Sequence, residues 1–210
     1  MATPGRFITL EGGEGAGKST QARLLAERLR DAGHDVVLTR EPGGAPGAEV
    51  LRGLLLSGDV AWSLPAETLL HFAARAEHVE RLIRPALARG AWVVCDRFYD
   101  STMVYQGYAL DGDQAAIVTL SRLLGIVPDL TLVLDVPVCV SVERMRARGL
   151  AADRYERLGE GFFARVREGF LAVAVAEPQR CVVIGAEGAA EAVAAEIWRQ
   201  VNALPVANYQ

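Results

Sequence analysis

An apolar strand runs directly into a glycine-rich loop near the start of this 210-residue chain. The run FITL at residues 7–10 is typical of a buried strand, and the segment from Gly12 to Ser19 fits the spacing G-x-x-x-x-G-K-[ST]. Glycines allow such a loop to turn its backbone N–H groups towards phosphate oxygens, and the helix predicted from about Lys18 adds its positive N-terminal end. The sequence therefore predicts a phosphate-binding loop in which Lys18 neutralises phosphate charge and Ser19 ligates Mg²⁺.

Composition places the chain among globular proteins. Its 51% hydrophobic and 23% charged residues allow residues 1–210 to bury a substantial core as one domain. A net charge of −4 argues against a nucleic-acid-binding protein. No apolar run approaches the roughly 18 residues of a membrane span, and the N-terminal MATPGR lacks the apolar region of a signal peptide. We therefore expect a soluble, cytoplasmic protein with no membrane partner. Its three cysteines, Cys95, Cys139 and Cys181, have no metal-binding spacing and are predicted to be reduced thiols of the core.

Five short apolar segments alternate with helical patterns along the chain. Their near-continuous Val, Ile and Leu content suits parallel strands that helices cover on both faces through right-handed crossovers. The segments are residues 6–11, 35–41, 92–98, 130–136 and 181–186. We predict a three-layer α/β/α fold with a five-stranded parallel sheet. Ligands of such sheets bind at the carboxyl ends of the strands, so functional side chains are expected there.

Polar clusters follow two of the predicted strands. The segment TREPGG at residues 39–44 puts Arg40 and Glu41 where an acceptor site can form. Asp96 and Arg97 emerge after the third strand, which places an acid near the predicted Mg²⁺ and a guanidinium able to bind two phosphate oxygens. A charged surface turn and a salt bridge that caps the strand are the alternatives that these residues leave open.

A helix is predicted within residues 67–90. Arg75 lies on one helical face with His71 and Phe72, and a ring beside a guanidinium suits the binding of a planar base. His78 is interpreted as an ordinary histidine of the helix surface or the core.

A basic segment follows the fourth predicted strand. Its arginines surround the small, flexible residues 149–152, and they are Arg144, Arg146, Arg148, Arg154 and Arg157. Closing arginines over a transferring phosphoryl group would stabilise its negative charge and exclude water. We therefore predict a lid at about residues 146–160, although a solvated basic helix is the alternative.

Taken in order, these motifs resemble the thymidylate kinase family of the bacterial type. The resemblance covers nearly the whole chain through the segments FITLEGGEGAGKSTQ, TREPGG, FAARAEHV, DRFYDSTMVYQG, PDLTLVLDV, RARG…DRYE and FFARVREGF. It implies a P-loop nucleoside-monophosphate-kinase fold, MgATP-dependent transfer of a γ-phosphoryl group to dTMP to give dTDP, and a homodimer.

The resemblance also implies roles for individual residues. The expected ATP site consists of Gly12, Gly13, Glu14, Gly15, Ala16, Gly17, Lys18, Ser19, Thr20 and Arg144. The expected dTMP site consists of Glu41, Pro42, Phe72, Arg75, Arg97, Ser101, Thr102, Tyr105 and Gln106. The expected catalytic groups are Glu14, Lys18, Arg97, Arg148 and Arg154, and the expected metal ligands are Ser19 and Asp96.

Several of these positions have consequences for mechanism. Gly15 stands where a subgroup of the family has an arginine, so the catalytic guanidinium is expected from the lid, from Arg148 or Arg154. Arg97 is expected to hold the dTMP phosphate and Arg75 to hydrogen-bond the thymine edge. The base-stacking ring of the family often precedes that arginine by four residues, a place that His71 occupies, but we predict Phe72 because its contact with the thymine methyl is more apolar.

Other P-loop proteins remain as alternatives. A deoxynucleoside kinase must deprotonate a sugar hydroxyl, and Glu14 or Glu41 could serve as its base. A GTPase switch would need N-K-x-D, yet the only asparagines, Asn202 and Asn208, come too late in the chain. A nucleotide-binding module without catalysis is disfavoured because Lys18, Ser19, Asp96 and Arg97 are all present.

Overall fold

The predicted five-stranded parallel sheet is confirmed. The protein is described by a computed structural model that covers residues 5–148 and 158–204 and gives only the backbone of Arg148. The strands are β1 (Phe7–Glu11), β2 (Val36–Arg40), β3 (Trp92–Asp96), β4 (Leu130–Asp135) and β5 (Cys181–Gly185), in the spatial order β2-β3-β1-β4-β5. Every strand pair is parallel, and each strand lies within two residues of its predicted bounds.

Helices connect the strands. They are α1 (Lys18–Asp31), α2 (Pro46–Leu56), α3 (Leu64–His78), α4 (Arg84–Ala88), α5 (Tyr99–Thr102), α6 (Gln114–Leu123), α7 (Val138–Arg148), α8 (Glu160–Ala176) and α9 (Ala190–Asn202). One π-helical turn, Val79–Ile83, joins α3 to α4, and another, Met103–Ala109, follows α5. The helix predicted within 67–90 begins three residues earlier, because Pro65 fits the first turn of a helix. None of the described helices is both long and apolar enough to cross a bilayer.

The sheet is buried on both faces because its strands are apolar at successive positions. Ile8 and Leu10 pack on one side in a cluster that includes Leu25 of α1 and Ile197 of α9. Phe7, the neighbour of Ile8 in the strand, belongs to a cluster on the other side with residues of β3, α6 and the first π-helical turn. Since successive strand residues point to opposite faces, this division produces the predicted three layers. The three cysteines are free thiols; Cys95 and Cys181 are buried, as predicted, whereas Cys139 is exposed and the prediction of a core position is wrong for it.

The strand register brings the polar strand ends together at one edge. Leu10 of β1 is paired with Asp96 of β3, and Arg40 of β2 is paired with the same Asp96. The chain leaves β1 towards β2 and leaves β3 towards β4, so the connections after these two neighbouring strands diverge. Such a divergence opens a crevice at the carboxyl ends of the strands. The glycine-rich loop and the Asp96-Arg97 pair border this crevice.

Candidate active site

The glycine-rich loop between β1 and α1 has the conformation that its sequence predicts. Gly12 has φ +138°, and a Cβ there would lie 2.5 Å from the carbonyl oxygen of Leu134. Gly17 provides no side-chain cap for α1, which leaves the positive amide end of this helix to an anion. Lys18 is buried and donates from Nζ to the carbonyl oxygen of Gly13 at 2.6 Å. Burial, and secondarily the charge of Arg97, lower the pKa of Lys18 to about 8.

Helix α7 holds the outer side of this loop. The hydroxyl of Ser141 donates to the carbonyl oxygen of Glu14, and Arg144 donates to the carbonyl oxygens of Gly15 at 3.4 Å and Ala186 at 2.9 Å. A Cβ at Gly15 would lie 2.7 Å from the carbonyl oxygen of Ser141, and φ at Gly15 is +70°. A side chain at Gly15 therefore does not fit this packing.

Arg97 has a strained backbone at the centre of the crevice. Its φ of 71° is rare for a residue with a Cβ, and such strain concentrates at functional sites. Its guanidinium donates to Oε1 of Glu14 at 2.6 Å and to Oγ of Ser101 at 3.2 Å. Tyr105 donates to the same Glu14 oxygen at 2.9 Å, and its ring centroid lies 5.1 Å from the guanidinium carbon. The structure thus brings these four predicted residues together.

Glu11, at the end of β1, supports the turn that carries Arg97. Its carboxylate accepts from the backbone N–H of Phe98 at 2.7 Å and from the hydroxyl of Ser101 at 2.6 Å. Burial, and secondarily the charge of Asp100, raise the pKa of Glu11 to about 8. The sequence analysis did not select Glu11. The available signal was a charged residue that closes an apolar strand directly before the phosphate-binding loop.

Ser19 and Asp96, the predicted metal ligands, are neighbours. The Ser19 hydroxyl donates to Oδ2 of Asp96 at 2.5 Å, while the buried Oδ1 of Asp96 has no hydrogen-bond partner among the described residues. No cluster of three or more His, Cys, Asp or Glu side chains in the described parts of the chain could hold a metal ion. A metal here would therefore depend on oxygens of Ser19, Asp96 and a bound ligand, which is the oxygen-rich set that Mg²⁺ prefers.

A buried ionic network forms the other end of the crevice. Arg75 donates from Nε to Oε2 of Glu41 at 2.6 Å, and Nδ1 of His78 lies 3.0 Å from Oε1 of the same carboxylate. Nε2 of His78 lies 2.8 Å from Oγ1 of Thr39. Arg75 also donates from Nη2 to the carbonyl oxygen of Phe98 at 3.2 Å and to Oγ1 of Thr102 at 3.1 Å. His78 is thus a fully hydrogen-bonded core histidine, as interpreted from the sequence.

Many of these residues line a cavity of about 530 Å³. This volume is ordinary for a small-molecule site. The predicted residues that line it are Glu14, Gly15, Gly17, Lys18, Ser19, Thr20, Glu41, Pro42, Arg75, Asp96, Arg97, Ser101, Thr102, Tyr105, Gln106 and Arg144. Gly12 and Gly13 contribute their carbonyl oxygens to Arg97 and Lys18, and Ala16 is buried in the core beneath the loop.

Phe72 does not line the cavity, and the prediction that it faces the ligand is not supported. Its side chain is 5% exposed and packs in the core cluster beside Val79 and Ile83, with its ring centroid 4.9 Å from the guanidinium carbon of Arg75. His71, one residue earlier, is the ring of α3 that lines the cavity. Consecutive helical residues point about 100° apart, so only one of the two rings can face the ligand. The larger apolar ring is in the core.

Arg52 of α2 also lines the cavity and was missed from the sequence. It donates from Nη1 to the carbonyl oxygen of Pro42 at 2.6 Å, which directs its guanidinium towards the loop after β2. The available signal was a single arginine within the apolar run VLRGLLL. Two catalytic candidates of the predicted lid, Arg154 and the side chain of Arg148, lie outside the described residues.

The family model for thymidylate kinase matches residues 10–197 of the chain. The chain belongs to the thymidylate kinase family. A thymidylate kinase of Caulobacter vibrioides is 56% identical over 198 residues, which cover 93% of this chain and 95% of the relative. That of Gluconobacter oxydans is 53% identical over 206 residues, with 96% of each chain covered. The protein is therefore a kinase, and the resemblance read from its motifs is confirmed.

A solved thymidylate kinase also shares the fold. The crystal structure of thymidylate kinase from Ehrlichia chaffeensis matches with a TM-score of 0.78 and 36% identity, covering 94% of this chain and 100% of that one. The predicted P-loop nucleoside-monophosphate-kinase fold is confirmed by this match. The cavity described above is accordingly the candidate active site of a member of the thymidylate kinase family.

Proposed function

We propose that the protein transfers the γ-phosphoryl group of ATP to dTMP, giving ADP and dTDP. The observation that supports this most strongly is one cavity with a cation on each side, Lys18 in the phosphate-binding loop and Arg97 after β3. Arg97 contributes to the lowered pKa of Lys18, so the two charges act on each other across the site. Two cations in one cavity suit a donor phosphate beside Lys18 and an acceptor phosphate beside Arg97.

The reaction needs placement and charge neutralisation more than proton transfer. The dTMP phosphate is the nucleophile and is already anionic near neutral pH, so no general base is required. Lys18 and the amide end of α1 would hold the ATP phosphates, and Arg97 would orient the dTMP phosphate in line with them. An arginine of the predicted lid, Arg148 or Arg154, would add a positive charge beside the transferring phosphoryl group. Tyr105 would contact the deoxyribose, and His71 rather than Phe72 would stack on thymine.

Mg²⁺ fits the oxygens at the donor side of the site. Ser19 and Asp96 would hold it, since the Ser19 hydroxyl and the unpartnered Oδ1 of Asp96 are suitable ligands or partners of ligand water. Bound there, the ion would neutralise charge on the ATP phosphates. In this structure, Asp96 accepts a hydrogen bond from Ser19 and so holds this hydroxyl at the N-terminal end of α1.

Glu41 and Glu14 are the two carboxylates that could act as a general base, and their contacts favour a monophosphate acceptor over a nucleoside. Glu41 is paired with Arg75 and His78 and its side chain is 2% exposed. Glu14 is paired with Arg97 and bonded to Tyr105. A carboxylate oxygen that already accepts a hydrogen bond from an arginine is not placed to take a proton from a substrate hydroxyl. A deoxynucleoside kinase would need one of these groups to take a proton.

An ADP-release assay with MgATP tests this proposal. We expect ADP formation that depends on dTMP and does not occur with thymidine. Lys18→Ala should lower turnover by about 10²-fold or more while the melting temperature stays close to that of the wild type. ADP formation with thymidine, or near-normal turnover in the folded Lys18→Ala variant, would contradict the proposal. The homodimer, the lid and the cytoplasmic location remain predictions that the family resemblance supports.

A further inference from the structure

Glu11 is a buried acid of β1 that caps a helix following another strand. It is the last residue of β1, and the residue is 0% exposed. Its Oε1 accepts from the backbone N–H groups of Phe98 at 2.7 Å and Ser101 at 3.3 Å, at the start of α5. Phe98 precedes this helix and has no polar side chain with which to cap it. A residue 87 positions earlier in the chain therefore supplies the cap.

The same carboxyl group also reaches the guanidinium of Arg97. The Ser101 hydroxyl donates to Oε2 of Glu11 at 2.6 Å, and its oxygen accepts from Nη1 of Arg97 at 3.2 Å. Burial raises the pKa of Glu11 to about 8, so the carboxyl group is mostly protonated at pH 7. Its proton can then replace that of the hydroxyl in the same O–H···O bond, so the contact persists in both forms. Glu11 thus holds the main chain after Arg97 and, through Ser101, the end of the Arg97 side chain.

Arg97 depends on such support because its backbone conformation is unfavourable. Its φ of 71° is disfavoured for a residue with a Cβ, and this conformation persists only where the surrounding structure holds it. The N–H of Arg97 donates to the carbonyl oxygen of Leu10 at 2.9 Å, and the next N–H along the chain, that of Phe98, donates to Glu11. The two peptide groups that flank the Cα of Arg97 are therefore bonded to consecutive residues of β1.

We infer that Glu11 is a positioning residue that directs Arg97 towards the acceptor phosphate, and that it controls use of the acceptor without controlling the binding of ATP. Arg97 lines the cavity and Glu11 does not, so Glu11 acts through the arginine rather than on a ligand. The inference rests on the proposed function, since it takes Arg97 to be the group that holds the dTMP phosphate.

Helix α5 has a second anchor that does not involve Glu11. Asp100 of this helix accepts from Nη1 and Nη2 of Arg180, each at 2.7 Å. Arg180 also donates to Oγ1 of Thr131 in β4 at 2.7 Å, which ties the pair to the sheet. Replacement of Glu11 should therefore release the turn at Arg97 while α5 stays in place, and we expect variants at position 11 to fold.

A pair of substitutions at Glu11 tests the inference. Glu11→Leu keeps most of the side-chain volume and removes both acceptor oxygens, whereas Glu11→Gln keeps an oxygen for Phe98 and has an amide that can donate to Ser101. We expect Glu11→Leu to lower kcat/KM for dTMP by about tenfold or more at saturating MgATP, because Arg97 is no longer held in place. Glu11→Gln should retain kcat/KM to within about threefold of the wild type. Calorimetry without dTMP should give a Kd for ATP within about twofold of the wild type in both variants.

Glu11→Asp is a milder variant that serves if the leucine variant does not fold. It shortens the side chain by one methylene, so the carboxyl group no longer reaches Phe98 and Ser101 together. It should lower kcat/KM for dTMP by about threefold or more, again with little change in the Kd for ATP.

Thr9→Val is the matched control. Thr9 lies two residues before Glu11, on the same face of β1, and is equally buried. Its Oγ1 lies 2.8 Å from Oγ1 of Thr131. The valine loses this buried hydrogen bond, so it should lower the melting temperature while the dTMP and ATP values stay unchanged.

The Arg97→Ala background shows whether Glu11 acts through the arginine. Adding Glu11→Leu to Arg97→Ala should change kcat/KM for dTMP by less than about twofold, because the group that Glu11 positions is already absent. A residue that only stabilises the fold would lower kcat/KM by the same factor in both backgrounds.

The outcomes separate this inference from the proposed function. A wild type that does not phosphorylate dTMP, or an Arg97→Ala variant that loses ATP and dTMP binding equally, contradicts the proposed function itself. If Arg97→Ala impairs the use of dTMP alone, unchanged dTMP kinetics in folded Glu11→Leu or Glu11→Asp overturn the role of Glu11. Three further results overturn it: ATP binding weakened as much as the use of dTMP, Glu11→Gln as impaired as Glu11→Leu, or a full effect of Glu11→Leu without Arg97.

Discussion

At the scale of single residues, the candidate site depends on charged side chains that are buried away from water. Lys18 is the clearest case, since its amine lies beneath the loop and its pKa is lowered to about 8. Desolvation disfavours the charged form of the amine, and a triphosphate beside it would restore that form. The free protein at pH 8.5 therefore carries a partly neutral Lys18, whereas the nucleotide-bound protein carries a charged one.

Binding of ATP should consequently take up a proton in mildly alkaline solution. We expect an uptake of up to about 0.7 proton at pH 8.5 and about 0.1 at pH 7, because a group with a pKa near 8 is mostly protonated at the lower pH. Isothermal titration calorimetry in two buffers of different ionisation enthalpy measures this uptake. Lys18→Arg should bind with no uptake of its own, because a guanidinium stays charged. Equal uptake at both pH values would contradict the assignment.

The sequence predicted well the residues that belong to a motif of fixed spacing. It predicted less well the residues whose position depends on which side of a helix is buried. The loop from Gly12 to Ser19 has a fixed pattern, so its residues could be named in advance. Phe72 was preferred over His71 on the chemistry of the ring, but the direction of each side chain is set by how α3 packs on the sheet. Arg52, in an apolar run of α2, acquires its place only when the helix folds back over the loop after β2.

At the scale of elements, α7 and the phosphate-binding loop form one packed unit. Ser141 and Arg144 bond the carbonyl oxygens of the loop, which helps to direct its amides towards the opposite side. The same helix ends at Arg148, so its last residues fall within the lid predicted at about residues 146–160. A change in the packing of α7 would therefore alter both the loop and the start of the lid.

Gly15 and Gly17 provide a matched test of this packing. Both have positive φ, of 70° and 90°, but a Cβ meets backbone atoms of Ser141 only at Gly15, and meets nothing within 4 Å at Gly17. An alanine at either position would cost about 1–2 kcal/mol of stability from backbone strain. Gly15→Ala should lose about 1–3 kcal/mol more, from overlap with α7. Urea denaturation measures both values. Equal losses would show that α7 does not restrain the loop.

Strands were easier to predict than the boundaries of α3. Short apolar segments of five or six residues that are rich in Val, Ile and Leu are typical of buried parallel strands, so the positions of the strands were found within two residues. The helix start at Leu64 was missed because Pro65 was not read as a first-turn residue. The π-helical turns after α3 and α5 carry no local sequence signal of their own, although the second one places Tyr105 and Gln106 at the cavity.

At the scale of the whole molecule, the order of the strands creates the site. β1 and β3 are adjacent in the sheet, although 80 residues lie between the end of β1 and the start of β3. This pairing puts the phosphate-binding loop beside Asp96 and Arg97. Glu41 and Arg75 lie at the other end of the cavity. The motifs predicted that the strand ends would meet at one edge of the sheet. They did not determine which strands would be neighbours, because that depends on long-range packing.

The central claim is that this cavity holds ATP and dTMP at once with their phosphates between Lys18 and Arg97. A crystal structure with dTMP and a non-hydrolysable ATP analogue measures this directly. We expect the triphosphate on the loop from Gly12 to Ser19, the dTMP phosphate within hydrogen-bond distance of Arg97, and thymine against His71. Density for dTMP outside this cavity, or for its phosphate away from Arg97, would contradict the account.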